Sequence, residues 1–249
     1  MSAPPMYLTR ARLRRNAPAS ALRAVLTPDG RDERAASTHR LVWTLFSDSP
    51  DRERDFLWRE AEPGAFYCLS SRVPDDHHGL FDVEPPKLFQ LALSPGDRLR
   101  FLLRVNATVS RGGQPPEDGN PGVRGKPHDI VMDALQGVAR DDRADSRRRL
   151  LVPVAHAWMS RQGAQHGFSL EPLSEHDTDG GWQPESFTVL GYRVLAIDRG
   201  RGKKPLNAGV LDIQGELQVQ DPQAFERAVH RGFGRAKAFG CGLMLLRRA

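Results

Sequence analysis

Between Arg98 and Asn106 the chain alternates: Leu99, Phe101, Leu103 and Val105 fall on one face, Arg98, Arg100, Arg104 and Asn106 on the other. A period of two with one apolar face predicts a half-buried strand. Shorter stretches behave the same way. "MYLTRARL" (6–13) predicts a first strand, and "DFLWREA" and "AFYCLSS" predict a hairpin around Glu62-Pro63-Gly64. "PPKLFQLAL" predicts a further strand or extended segment, and "GYRVLAIDRGRGKKP" with "AGVLDIQGELQV" predicts two strands joined by a basic turn.

Helical spacing appears three times. Leu41, Val42, Leu45 and Phe46 predict a helix from about Thr38, with Ser37 or Thr38 as N-cap. In "LLVPVAHAWMSRQGAQHGF", Pro153 suits a first turn, Val154, Trp158 and Met159 form an apolar face, and Gly163 suits the stop. Asp221 as N-cap, Pro222 as first helical residue and Gly232 as stop frame a last helix, with Phe225, Ala228 and Val229 on its buried face. The first half thus runs strand, helix, strand, strand, strand to about Leu93, consistent with a ferredoxin-like unit. After the turn Ser94-Pro95-Gly96, the second half runs strand, helix, strand, strand, helix, strand. The expected architecture is α+β: two tandem ferredoxin-like domains, each an antiparallel sheet with helices on one face. Their boundaries fall at 1–93 and 97–249. Residues 110–127, rich in Gly and Pro, are expected to form a mobile loop within the second.

Composition changes this picture little until charge is considered. With 39% hydrophobic and 27% charged residues the chain suits a packed globular protein. Without a run of 18 apolar residues or an N-terminal apolar segment, the expectation is a cytoplasmic protein that does not cross a membrane. Two cysteines, Cys68 and Cys241, are expected as thiols in that compartment, and no zinc pattern is visible. The net charge of +5 rests on 36 Lys and Arg, with arginine far outnumbering lysine. Coding bias accounts for much of that count, but the clustering of cations makes nucleic acid the first partner to consider. The arginine face of 98–104 is either a surface offered to a phosphate backbone or a solvated strand face that discourages aggregation.

Two features carry candidate chemistry. "RGFGRAKAFGCGLMLLRR" (231–248) sets glycines 232, 234, 240 and 242 around Arg235 and Lys237. It follows a helix and matches neither the Walker pattern nor the dinucleotide fingerprint. On spacing alone a helix stop with turns is the commoner outcome; the alternative is a loop whose amides and cations hold a nucleic-acid backbone. His39 lies at the border of the apolar stripe of the first helix, near the expected positive helix end. There a neutral imidazole could take a proton from a 2′-hydroxyl beside a phosphodiester, or simply be a half-buried structural histidine. The cluster "DDHH" (75–78) is read as solvated loop, because adjacent loop side chains rarely converge on one ion.

These stretches together resemble the CasE family, the CRISPR repeat-processing endoribonucleases of type I-E Cascade systems. The resemblance spans nearly the whole chain: "MYLTRARL", "THRLVWTLF…SPDRERDFLWRE", "PGDRLRFLLRVNAT", "GKPHDI", "HAWMSRQGAQHGF" and the glycine-rich "GFGRAKAFGCGLMLL" occur in the family's order. It implies a tandem RRM-like fold and metal-independent, cofactor-free cleavage of precursor CRISPR RNA at the base of each repeat hairpin. It also implies that the product stays bound, making the enzyme a Cascade subunit. His39 falls on the family's catalytic histidine, while Ala36 and Thr44 stand where some members carry an auxiliary Tyr and Lys.

RNA contacts are then expected from Arg98, Arg100 and Arg104, from Lys126 and Arg193, and from a basic hairpin at about 199–204 carrying Arg199, Arg201, Lys203 and Lys204. The glycine-rich loop 232–242 adds Gly234, Arg235, Lys237, Gly240 and Gly242. Two rivals remain: a catalytically silent RNA-binding subunit of the same fold, and a generic RRM-like protein for single strands. The second fits less well, since such sheets present stacking aromatics where this chain presents arginines.

Overall fold

The structure is a computed structural model that describes residues 5–15, 33–47, 53–113, 125–172, 186–197 and 206–249. The chain divides into two compact units. One comprises 1–93, 194–208 and 226–244; the other comprises 94–193, 209–225 and 245–249. The glycine-rich loop 232–242 therefore belongs to the same unit as His39.

The first unit is built on β1 (Tyr7–Leu13), α1 (Glu33–Trp43), β2 (Phe56–Glu62), β3 (Ala65–Ser70), β4 (Phe81–Val83) and β5 (Lys87–Leu88). Its strands lie in the order β2-β3-β1-β4, with β5 also on β1. This is the ferredoxin-like order, and the β1–β3, β1–β4 and β2–β3 pairings are antiparallel. The predicted segment "PPKLFQLAL" contributes only two paired residues, because Pro85 and Pro86 lack the N–H groups a ladder needs. Leu41, Val42, Leu45 and Phe46 of α1 and the turn after it pack on Phe56, Trp58, Phe66 and Phe81 of the sheet. Phe46 stacks on Phe56 with ring centroids 4.1 Å apart.

Helix α1 corrects one expectation. It begins at Glu33 rather than near Thr38, so Ser37 and Thr38 are interior residues and neither is its N-cap. Glu-Arg-Ala-Ala are strong helix formers and carry the helix past the cap-like pair. The buried Ser37 Oγ instead accepts a hydrogen bond from Arg40 at 3.2 Å. His39 is consequently in the middle of α1, beyond the reach of its positive end.

The second unit's sheet uses β6 (Arg98–Val105), β10 (Phe187–Ile197), β11 (Leu206–Val219) and β12 (Met244–Arg248) in the order β10-β11-β6-β12, again the ferredoxin-like order. A short β9 (Phe168–Ser169) joins β11, and β7 (Thr108–Arg111) pairs with β8 (Lys126–Asp129) as a separate ribbon. The alternation read in β6 is borne out, with Leu99, Phe101, Leu103 and Val105 all buried.

Two helices lie between β8 and β9: α2 (Ile130–Ala134), capped by the Asp129 carboxylate, and α3 (Arg143–His166). Pro153 sits inside α3, not in its first turn, and the helix runs past Gly163 to a left-handed C-cap at Gly167. The upstream run "RADSRRRLL", rich in Arg and Leu, favours helix strongly enough to extend it ahead of the proline. Gly163 has a packing role, since a Cβ there would lie 2.4 Å from the carbonyl oxygen of Phe168. Gly163→Ala is expected to destabilise the protein by about 1–3 kcal/mol, and an unchanged melting temperature would contradict this. The last helix, α4 (Pro222–Arg231), matches its predicted punctuation: Asp221 Oδ1 accepts from Ala224 N at 3.0 Å, and Gly232 N closes on Ala228 O at 2.8 Å. Among the described residues no helix is long and apolar enough to cross a membrane.

Candidate active site

The glycine-rich segment folds back on itself in the first unit. Phe233 is buried and its N–H donates to Gly242 O at 3.0 Å, pinning the neck of the loop. Within it Lys237–Phe239 form a single 3₁₀ turn, entered through Ala236 at φ 53° and left through Gly240. Trp58 on β2 holds this turn in place. Its indole Nε1 donates to Ala238 O at 3.2 Å, and its ring lies where a Cβ at Gly240 would come within 3.0 Å. The apolar β2 thus seats the loop.

The 3₁₀ turn meets α1 at His39. The imidazole lies between Trp43 (ring centroids 5.6 Å, edge-on) and Phe239 (5.9 Å). Burial and the nearby cations Arg54 and Arg40 hold its pKa below the ordinary 6.5, and a backbone hydrogen bond to Ala238 pulls the other way. Nδ1 is buried with no hydrogen-bond partner among the described residues. The ring is therefore neutral near pH 7, for reasons of desolvation and neighbouring charge rather than helix polarity.

Arg54, just ahead of β2, is partly buried, with Nη1 enclosed and unpartnered among the described residues and its pKa lowered by desolvation. Lys237 is also weakened as a base, by burial and then by Arg54 and Arg231. The charges that shift His39 and Lys237 are all cations. Cations gathered around a desolvated imidazole form a receptor for an anion.

The other expected contacts fall elsewhere. Strand register sets Arg100 opposite Glu216 and Arg104 opposite Asp212. Arg100 Nε donates to Glu216 at 2.8 Å and Arg104 binds Asp212 through two bonds at 2.9 and 3.1 Å. Arg98 pairs with Glu171 and Glu216. The cationic face read from β6 is thus balanced by its neighbours. Lys126 is exposed on β8 and Arg193 on β10, both in the second unit, while Arg235 is exposed on the glycine-rich loop. Gly234 and Gly242 take positive φ in that loop. Arg199, Arg201, Lys203 and Lys204 lie outside the described residues, as does most of the 110–127 loop. Thr44, at one family auxiliary position, turns its hydroxyl to Leu41 O at 2.7 Å. In "DDHH", Asp76 accepts from Leu80 N and Phe81 N, organising the turn into β4, while His77 pairs with Asp75 in solvent. Motif reading does not single out Arg54; its one signal is a cation placed immediately before a buried apolar strand.

Two ferredoxin-like units are thus present, and one of them carries a neutral histidine among cations. The chain belongs to the family of CRISPR associated proteins, whose model matches residues 6–248. It is 26% identical over 219 residues to the CRISPR system Cascade subunit CasE of Escherichia coli, covering 84% of this chain and 89% of that protein. It is 28% identical over 218 residues to the CRISPR-associated endoribonuclease Cse3 of Thermus thermophilus, covering 83% and 86%. Among solved structures, Thermus thermophilus Cse3 bound to an RNA representing a pre-cleavage complex superposes with a TM-score of 0.60 at 25% identity, over 98% of this chain and 99% of that one. Cas6e from Escherichia coli shares the fold, with a TM-score of 0.55 at 18% identity over 98% of this chain and 100% of that one.

Proposed function

We propose that this protein is an endoribonuclease that cuts precursor CRISPR RNA at the base of the repeat hairpin and stays on the product as a Cascade subunit. The observation that carries this reading is the His39 centre: a neutral, partly desolvated imidazole with an unpartnered nitrogen among the described residues, influenced by Arg54 and Arg40, with Lys237 sharing Arg54 as a charged neighbour. The names of the Cse3 and CasE relatives supply the RNA and the assembly.

The chemistry follows from the groups present. The scissile phosphate occupies the space the cations leave, with Arg54 on its non-bridging oxygens. Neutral His39 removes the 2′-hydroxyl proton, O2′ bonds to phosphorus, and the bond from phosphorus to O5′ breaks. Lys237, made more acidic by burial and by Arg54, gives the leaving O5′ its proton. The products are a 2′,3′-cyclic phosphate and a 5′-hydroxyl, formed without a metal ion or cofactor.

Cleavage of the cognate repeat RNA in excess EDTA, with mapping of both new ends, tests this. Wild-type protein that binds the hairpin and leaves it uncut would instead make the chain a silent RNA-holding subunit. A second expectation concerns Arg54. Arg54→Gln lowers the single-turnover rate by about 10²-fold, as loss of one preorganised charged donor does. Because Arg54 depresses the His39 pKa, the same change moves the acid limb of the pH–rate profile to higher pH. A limb that stays in place would separate Arg54 from His39.

A further inference from the structure

A cavity of about 440 Å³ lies in the first unit beside Arg54, on the side of α4. Its floor is apolar, including Phe56 and Leu69, and its polar lining comes from Arg54, Arg227, His230 and Arg231. The volume is in the range of small-molecule sites, about 300–1,000 Å³. Two lining side chains carry buried nitrogens without partners among the described residues, Arg54 Nη1 and His230 Nε2. The His230 ring is held against Phe89, with centroids 6.0 Å apart. Asp55, the carboxylate on the cavity wall, is taken by Arg72 through bonds at 2.5 and 2.9 Å, so it does not oppose an incoming anion.

We propose that this cavity is a subsite for one single-stranded nucleotide of the RNA, the one immediately 3′ of the scissile phosphate. An apolar floor accepts the face of a base, and the arginines at the rim hold its phosphate. Arg54 belongs to both the cavity and the His39 centre, so a strand leaving the scissile phosphate enters the cavity within one nucleotide. The hairpin is retained on the 5′ side of the cut in the proposed reaction, and the free strand is therefore the leaving one. This subsite rests on the endoribonuclease reading, and it assigns that reaction a contact with the departing strand.

The test compares two uncleavable RNAs, each with a 2′-deoxy nucleotide at the cut: the repeat hairpin ending at the scissile phosphate, and the same hairpin extended by one 3′ nucleotide. Wild-type protein is expected to bind the extended RNA about tenfold more tightly. His230→Phe, which fills the cavity, and Arg227→Ala, an exposed change that leaves the core intact, are each expected to remove that advantage while hairpin affinity stays unchanged. No advantage in wild type, or an advantage retained in both variants, overturns the subsite. Cleavage of the unmodified repeat by wild type is scored separately. Cutting without a nucleotide advantage sinks the subsite alone, whereas an advantage that the variants lose, without cutting, sustains the subsite and sinks the nuclease assignment.

Discussion

His39→Ala is expected to lower single-turnover cleavage by about 10²–10⁴-fold, the usual worth of a positioned general base, while affinity for the hairpin stays near that of wild type. The two readouts separate because, in the proposed reaction, the cations around His39 hold the phosphate whether or not the imidazole is present. The truncation also empties the space between Trp43 and Phe239, so His39→Gln, which fills more of it, should retain the folded loop and lose the rate equally. The pH profile adds a sign. A base must be unprotonated, and burial with Arg54 and Arg40 holds the His39 pKa below 6.5. The acid limb of kcat/KM should therefore fall below pH 6.5, and His39→Gln should abolish it. The same depression bears on stability. The folded state resists protonation at His39 and at His230, which is also shifted down by burial. The unfolded chain takes up those protons more readily, so stability declines as pH falls through about 6.5 toward the folded values. An acid limb above 6.5, or one that survives His39→Gln, would remove His39 from the role of base.

Much of the fold was legible because period and punctuation are local. The alternation of β6, the caps of α4 and the order of elements follow from spacing alone. What escaped depends on partners distant in sequence. The arginines of β6 look like a phosphate-binding face until the register with β11 sets Glu216 and Asp212 against them, 116 and 108 residues away. Arg54 shows no pattern of its own; its importance comes from the fold bringing it to His39 and Lys237. The position of His39 at the edge of an apolar stripe was readable, but the reason it stays neutral was not, because α1 begins a turn earlier than its cap-like residues suggest. Gly163 likewise looks like a helix stop to local rules, whereas its lack of a side chain is required by the carbonyl of Phe168.

The glycine-rich loop makes the second strong prediction. Gly242 has φ +95°, and a Cβ there would lie 2.8 Å from Phe233 O and 3.2 Å from the Lys237 side chain. Gly242→Ala thus combines backbone strain with a clash at the neck that Phe233 N and Gly242 O close. Gly96 provides the matched comparison: its φ is +93°, with nothing within 4 Å of a Cβ. Backbone strain of this kind costs about 1–3 kcal/mol, so both variants should melt earlier, Gly242→Ala by more. Their effects on cleavage should diverge. The loop carries Lys237, the Ala238 carbonyl that meets Trp58, the backbone partner of His39 at Ala238, and the Phe239 ring that flanks His39. Prying open its neck should therefore reduce the single-turnover rate well below that of Gly96→Ala when both are measured under conditions where each is folded. Equal rates in the two variants would mean that the loop's glycines serve only to let the chain turn, and that the catalytic centre does not depend on the loop being held in place.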